Sequence, residues 1–143
     1  ALQHAKRLGY RLFLFTNQSG IGRGYHSLEA AHACNRRMLE LLDLGEDLFT
    51  AICIAPEGPD QPSLYRKPSP RLITESISTY ALDPDRCWMV GDRESDLQAG
   101  LAAGIHAAAV CTGKYTADAW SARLPAGAGL YTDLHEFVFI LPE

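Results

Sequence analysis

A cluster of polar residues that suits phosphate binding follows an early apolar run in the chain. It consists of Thr16, Asn17, Gln18, Ser19 and Gly20. Hydroxyl, amide and backbone N–H groups are uncharged donors that match the oxygens of a phosphoryl group. Taken alone, the same five residues also fit an ordinary turn in which Asn17 and Gly20 serve only the backbone.

A second candidate is the basic pair Arg66 and Lys67, which stands just before Pro68 and a predicted helix. A cation near a helix N-terminus is unfavourable, because that end carries a partial positive charge. A bound anion would remove the conflict, since the helix N–H groups and Lys67 would both interact with it. The alternative interpretation is a basic pair that is simply solvated.

A third candidate is the acidic segment from Gly91 to Asp96. Gly91 allows a sharp turn after a buried strand, and Asp92 follows at the strand tip. A carboxylate there suits Mg²⁺, which usually takes one or two protein carboxylates together with water and phosphate oxygens. Asp96 lies about one helical turn further on and could contact Lys67 or the metal shell. The alternative is that Asp92 caps the helix and Asp96 faces solvent.

Alternating strands and helices must position these three segments. We predict strands over residues 10–15, 49–54, 87–90 and 105–110, and a short one at 130–131. We predict helices over residues 1–8, 27–42, 69–80, 94–103 and 117–123, and a closing helix from residue 133 onward. This order implies a parallel sheet with right-handed crossovers. Because ligands of such sheets bind at the carboxyl ends of the strands, the three segments are expected at one edge.

Local signals define two of these helices further. Ser27 is predicted as the N-cap of the second helix and Ser69 as the cap of the third, with Pro70 at its first position. The buried face of the second helix is expected to contain Ala31, Cys34, Met38, Leu41 and Leu42. The inward face of the third is expected to contain Leu72, Ile73, Ile77 and Tyr80.

Length, charge and hydropathy limit the classes of function. The 143 residues suffice for one domain with a real core. The net charge of −4 and the interleaved signs argue against a nucleic-acid partner, which would require a basic face. The longest apolar runs are about five residues, too short to span a membrane. No pattern in the sequence specifies an oligomeric state.

The four cysteines indicate a reducing compartment. Cys34, Cys53, Cys87 and Cys111 are far apart and form no CxxC or CxH pair. We therefore predict four free, buried thiols that act as small hydrophobic residues. Reduced thiols and the lack of a visible secretory signal predict a cytoplasmic protein.

The three segments resemble motifs of the haloacid dehalogenase superfamily of phosphohydrolases. Thr16 and Asn17 match its second motif, Lys67 its third, and Gly91-Asp92-x-x-x-Asp96 its fourth. The run from Thr16 to Tyr25 is more specific, and resembles the branch that contains heptose 1,7-bisphosphate phosphatases and histidinol-phosphate phosphatases. The resemblance implies a Rossmann-like three-layer α/β sandwich with a parallel sheet, and it extends over nearly the whole chain.

The resemblance also implies residue roles. Thr16 would bind the transferring phosphoryl group, Asn17 would position the substrate, and Lys67 would neutralise the phosphoaspartyl intermediate. Asp92 would complete the Mg²⁺ shell, with Asp96 supporting it or Lys67. A small phosphorylated metabolite is the implied substrate, contacted by Gln18, Ser19, Gly20, Arg23 and Arg66. Positioning and charge are most of what phosphoryl transfer requires, so this set is chemically consistent.

The superfamily's first motif, Asp-x-Asp-Gly-Thr, has no counterpart in the sequence. Its first Asp is the nucleophile, and no Asp precedes Asp43 here. The chain also opens within a predicted helix, so we expect an N-terminally truncated domain whose central first strand is missing. The isolated chain is then expected to be inactive, poorly stable and prone to aggregate through two unpaired strand edges.

Two accessory features of relatives are also predicted to be absent. Many members of the branch carry a zinc loop, but Cys53-Ile54-Ala55 and Ser63-Leu64-Tyr65 leave at most one ligand, so we expect no zinc. Prolines are expected to stiffen that loop instead. No insertion is large enough for a cap domain. Specificity is therefore expected to depend on the loops at 18–26 and 55–67.

Three readings of function remain open at this point. The first is an Mg²⁺-dependent phosphatase acting on a sugar bisphosphate, with histidinol phosphate as the alternative substrate. The second is a catalytically inactive binding or regulatory domain that keeps the fold. The third is a 3′-phosphatase for nucleic-acid ends, which the acidic balance and the lack of a basic, aromatic-rich patch disfavour.

Overall fold

The chain divides into two compact units, Leu2–Arg66 and Lys67–Pro142, in a computed structural model that describes residues 1–142. The fold class is the predicted one, an α/β arrangement in which every strand pairing is parallel. The sequence predicted one domain with a missing central strand, and that remains a prediction.

The unit Leu2–Arg66 contains a two-stranded parallel sheet. Its strands run in register from Phe13 opposite Ala51 to Asn17 opposite Ala55. In chain order its elements are α1 (Leu2–Arg7), β1 (Phe13–Asn17), α2 (Ser19–Gly22), α3 (Leu28–Leu42) and β2 (Ala51–Ala55). The prediction started β1 three residues too early and ended it before Thr16 and Asn17. The short helix α2 lies where the prediction had an irregular loop.

The buried face of α3 differs from the predicted one. Ser27 caps the helix as expected, its hydroxyl accepting the Ala30 N–H at 3.2 Å. Ala31 is buried, but Cys34 is exposed and Leu41 is 68% exposed. At about 100° per residue, Cys34 and Leu41 fall on one flank of Ala31, and the packed arc extends to the other flank, toward Asn35 and Leu39. Apolar spacing alone does not distinguish the two flanks.

The unit Lys67–Pro142 contains a three-stranded parallel sheet in the order β3-β4-β5. Its elements are α4 (Arg71–Tyr80), a 3₁₀ turn (Pro84–Arg86), β3 (Trp88–Gly91), α5 (Glu94–Ala102), β4 (His106–Val110), α6 (Ala117–Ser121), β5 (Ala128–Tyr131) and α7 (Leu134–Phe139). The predicted strands and helices are all present, with ends shifted by at most two residues. The N-cap of α4 is Pro70, not Ser69, whose hydroxyl accepts the Arg71 N–H at 3.4 Å.

A core on the central strand β4 holds this unit together. Ala107, Ala108 and Ala109 are fully buried, because β4 has a neighbouring strand on each side and is covered on its faces. Trp120 is also fully buried, and its indole N–H donates to the Val110 carbonyl at 3.2 Å. The rigid centre of this sheet fixes the end of the adjacent strand β3, where the acidic segment begins.

Candidate active site

The first polar segment forms the end of β1 and the turn after it. Thr16 and Asn17 are the last two residues of the strand. The Gln18 N–H donates to the Ala55 carbonyl at 2.8 Å, which extends the pairing with β2 by one residue. The Gln18 side-chain amide donates to the Thr16 hydroxyl oxygen at 3.0 Å. Gln18 therefore contacts the residue that the sequence assigned to the phosphoryl group.

The turn beyond Gln18 packs closely against its surroundings. A Cβ on Gly20 would lie 2.7 Å from Nδ1 of His26, so the exposed imidazole ring would have to move. A Cβ on Gly22 would lie 2.5 Å from the backbone nitrogen of Gly58, and the Gly22 N–H donates to the Pro56 carbonyl at 2.9 Å. These contacts hold the 18–26 turn against the proline-containing loop.

Two neighbouring predicted substrate residues differ in exposure. Arg23 is exposed, and its guanidinium carbon lies 6.0 Å from the centre of the Tyr25 ring, itself 75% exposed. Ser19 is only partly exposed and opens the single turn of α2. The face formed by Arg23 and Tyr25 therefore offers a cation and an aromatic ring to solvent.

Side chains rather than proline alone fix the loop at 55–67. The Glu57 carboxylate accepts the Tyr65 N–H at 2.7 Å, and the Gln61 amide oxygen accepts the Gly58 N–H at 2.7 Å. Glu57 and Gln61 carried no signal in the sequence. Cys53, the remaining counterpart of a zinc ligand, is a residue of β2, as predicted, and burial raises the pKa of its thiol.

Arg66 is the last residue of this unit, and its main chain and side chain differ in their hydrogen bonding. Its backbone carbonyl accepts the Ser63 hydroxyl at 2.9 Å, which fixes the main chain. Its Nε atom is buried and has no hydrogen-bond partner among the residues that the structure describes. A buried guanidinium donor without a partner is costly, so this N–H is an unused hydrogen-bond donor among the described residues.

Lys67 and Asp96 form an ion pair with little access to solvent. The Lys67 ammonium lies 2.7 Å from Oδ1 of Asp96, and the two side chains are 11% and 7% exposed. The other carboxylate oxygen of Asp96 accepts the Arg93 N–H at 3.1 Å, at the start of α5. The sequence left open whether Asp96 contacts Lys67 or faces solvent; the structure places it on Lys67.

Gly91 is needed for this arrangement, although for a different reason from the predicted one. Its φ lies outside the left-handed region, so it makes no sharp glycine-specific turn. A Cβ on Gly91 would instead lie 2.5 Å from Cγ of Asp96. The absence of a side chain at position 91 thus lets Asp96 lie against the strand end and reach Lys67.

Asp92 follows β3 and is held by the loop after β4. Its Oδ2 accepts the Lys114 N–H at 2.8 Å, and the N-cap of α5 is Arg93, not Asp92. Oδ1 of Asp92 has no hydrogen-bond partner within residues 1–142, and the residue is half-buried. One oriented, partly exposed carboxylate oxygen fits the share of an Mg²⁺ shell that a single protein carboxylate usually supplies.

The structure thus brings the candidate residues together in local groups. Thr16 lies with Gln18 in the first unit, and Lys67 lies with Asp96 in the second. The backbone N–H of Lys114, in the Gly113-Lys114 turn that the sequence analysis missed, orients Asp92. The rule that located the other segments, polar or glycine residues directly after a strand, would also have found this turn after β4.

Comparisons with known proteins agree with this fold. A crystal structure of the D,D-heptose 1,7-bisphosphate phosphatase of B. bronchiseptica, complexed with magnesium and phosphate, matches 96% of this chain and 79% of its own at a TM-score of 0.85 and 30% identity. A HAD-like phosphatase structure from Mesorhizobium loti matches 98% of this chain and 68% of its own at 0.72 and 32%. The fold is that of the haloacid dehalogenase-type phosphatases.

The sequence comparisons identify the family. The HAD-hydrolase-like family model matches residues 64–137. The D-glycero-beta-D-manno-heptose-1,7-bisphosphate 7-phosphatase of Pseudomonas aeruginosa is 33% identical over 134 residues, 94% of this chain and 75% of its own length. That of Helicobacter pylori is 40% identical over 106 residues, 73% of this chain and 61% of its own. The chain belongs to the HAD-like hydrolase family, as its motifs predicted. It spans about six tenths of the length of the Helicobacter pylori relative.

Proposed function

We propose that the protein containing this chain is an Mg²⁺-dependent phosphatase that hydrolyses a sugar bisphosphate resembling D-glycero-D-manno-heptose 1,7-bisphosphate. The observation that carries the proposal is the enclosed Lys67–Asp96 pair at 2.7 Å, which immobilises an ammonium group. The preceding residue, Arg66, has a buried Nε without a hydrogen-bond partner among the described residues. The names of the relatives, which are heptose bisphosphate phosphatases, support the choice of substrate class.

Lys67 supplies fixed positive charge in the proposed reaction. A phosphoryl group carries negative charge on its oxygens through the transfer, and a preorganised cation stabilises that charge without rearranging. Asp96 holds the ammonium in one place and lowers the cost of keeping it enclosed. Lys67 therefore stabilises the phosphoaspartyl intermediate and the transition states on either side of it.

Thr16 and Asn17 are proposed to bind and position the substrate. The Gln18 amide already donates to the Thr16 oxygen, so the hydroxyl proton of Thr16 is left to donate to a phosphoryl oxygen. Gln18, Ser19, Gly20 and Arg23 form the rest of this substrate-binding segment. Arg66, with its partnerless Nε, is proposed to contact an anionic group far from the reacting phosphorus.

Asp92 is proposed as the residue of this chain that holds Mg²⁺. Its carboxylate is oriented by the Lys114 N–H and keeps one oxygen without a hydrogen bond among the described residues. When bound, the metal neutralises charge on phosphate oxygens. Changing Asp92→Asn should raise the Mg²⁺ concentration needed for half-maximal activity, and unchanged metal dependence would refute the assignment.

The nucleophile is proposed to come from an Asp-x-Asp segment outside these 143 residues. No Asp precedes Asp43, so the chain by itself cannot form the phosphoaspartyl intermediate in the family's way. We accordingly propose that the isolated chain does not turn over substrate and that its active site works only with that strand added. A binding or regulatory domain without chemistry is the alternative if no such segment exists.

A substrate comparison tests the proposed function. Phosphate release from heptose 1,7-bisphosphate, histidinol phosphate and a 3′-phosphorylated oligonucleotide should be measured with the longest natural product that contains this chain. We expect the heptose bisphosphate to give the highest kcat/KM. A preference for histidinol phosphate would change the substrate class, and turnover of none would favour the binding-domain alternative.

The cellular setting of the proposal follows from the thiols and the helices. All four cysteines are free, although Cys34 is exposed and the other three are only partly buried, which corrects the prediction that all are buried. Free thiols support the proposed cytoplasmic location. No helix within residues 1–142 is long and apolar enough to cross a membrane.

A further inference from the structure

The turn after β4 touches the proposed metal residue in two independent ways. The Lys114 N–H donates to Oδ2 of Asp92 at 2.8 Å. A Cβ on Gly113 would lie 2.6 Å from the Cβ of Asp92 and 2.7 Å from its Cγ, closer than real Cβ contacts approach. The turn therefore packs against the Asp92 side chain through Gly113 and binds one of its oxygens through the Lys114 N–H.

This contact with Asp92 explains the glycine at position 113. Its φ is outside the left-handed region, so the backbone there would accept an alanine without strain. The three atoms nearest to a methyl group at that position all belong to the Asp92 side chain. Asp92 and the turn come from different strands of one sheet, β3 and β4, whose pairing Gly91 to Ala109 fixes the distance between them.

We propose that Gly113 and the backbone N–H of Lys114 position the Asp92 carboxylate for Mg²⁺. The donor occupies Oδ2, and the bare α-carbon of Gly113 lets the carboxylate lie against the turn, so Oδ1 is presented in one direction. A metal ligand fixed in this way loses less freedom on binding, and partners of this kind affect metal affinity strongly. The inference rests on the proposed role of Asp92 and adds two residues to it.

The test is the substitution Gly113→Ala, with Mg²⁺ itself as the probe. Isothermal titration with Mg²⁺ alone, in the longest natural product that contains this chain, should show a Kd raised by about tenfold or more. The Mg²⁺ concentration for half-maximal activity should rise by the same factor, with a smaller change in the kcat reached at saturating metal. An unchanged Kd in a folded Gly113→Ala protein would overturn the proposal.

A double-variant cycle separates this proposal from the assignment of the metal. Gly113→Ala should lower the melting temperature by about 4 °C or more, and by much less when Asp92→Ala is already present, because the methyl group then meets no side chain. Equal losses in both backgrounds would show that Gly113 serves the turn rather than Asp92. If the wild-type protein binds no Mg²⁺ but the cycle shows coupling, the metal role fails and the contact stands; binding without coupling overturns the positioning role.

Discussion

At the scale of single residues, the proposed function depends most on Lys67. Lys67→Ala would leave Asp96 buried without its counter-ion, which costs about 3 kcal/mol of unfolding free energy. It would also remove the positive charge that we propose acts on the phosphoryl group. We expect kcat to fall by about a thousandfold or more, as measured by phosphate release at saturating substrate and Mg²⁺.

Arg71→Ala is the matched control for Lys67. Arg71 also pairs with an acid, Glu75 at 2.7 Å, but both side chains are about half exposed. Exposed pairs of this kind contribute about 0.3–0.5 kcal/mol, and kcat should not change. Similar losses of kcat in the two variants would show that Lys67 has no special role.

Gln18 determines which way the Thr16 hydroxyl donates. The Gln18 amide donates to the Thr16 oxygen, whereas a carboxylate at position 18 would accept the hydroxyl proton instead. Gln18→Glu should therefore lower kcat/KM by about tenfold beyond the loss in Gln18→Ala. Steady-state kinetics of the two variants test this, and equal values would show that the Gln18 amide does not orient Thr16.

At the scale of elements, the sequence predicted where most candidate residues lie, because strand ends carry a local signal. Apolar runs followed by polar residues predicted Thr16 near the end of β1 and Asp92 directly after β3, whereas Lys67 was predicted from the start of α4. The sequence did not allow us to predict the exposure of Cys34 or the contact between Gly113 and Asp92. Both depend on which side of an element its neighbours approach, and that is set by packing between segments distant in sequence.

The reactivity of the cysteines toward alkylation tests the placement of β2 and of the residue before β3. Burial raises the pKa of the Cys53 and Cys87 thiols, and Asp83 raises that of Cys87 further, whereas Cys34 is exposed on α3. Because the thiolate is the reactive form, Cys34 should react with iodoacetamide at pH 8 about tenfold faster than either. Rates at Cys53 and Cys87 should keep rising with pH above 9.

Mass spectrometry of timed samples gives the three alkylation rates separately. The same measurement in denaturant is the control, since the rates should then become similar. Alkylation of Cys53 or Cys87 as fast as that of Cys34 in the native protein would contradict the placement of β2 and of the residue before β3.

At the scale of the whole molecule, two small sheets are expected to make the isolated chain fragile. A two-stranded sheet is marginal by itself, and β1, β2 and β3 all occupy sheet edges. The motifs predicted this chain's fold class, and their resemblance to the family implies a further strand outside these 143 residues. We expect the 143-residue chain to melt below about 45 °C and to self-associate through strand edges.

Sedimentation and calorimetry of the isolated chain check this expectation. The matched sample is the longer natural product, which should be more stable if it adds a strand ending in Asp-x-Asp. A monomeric isolated chain with a sharp, cooperative transition at the same temperature as the longer product would contradict the proposed missing strand.

The most direct test of the account is Mg²⁺-dependent phosphate release from D-glycero-D-manno-heptose 1,7-bisphosphate by two samples. These are the longest natural product and the isolated 143-residue chain, each assayed with and without Mg²⁺. From the proposed function we expect turnover by the longer product only, and only with the metal present. Turnover by the isolated chain, or metal-independent turnover by the longer product, would contradict it.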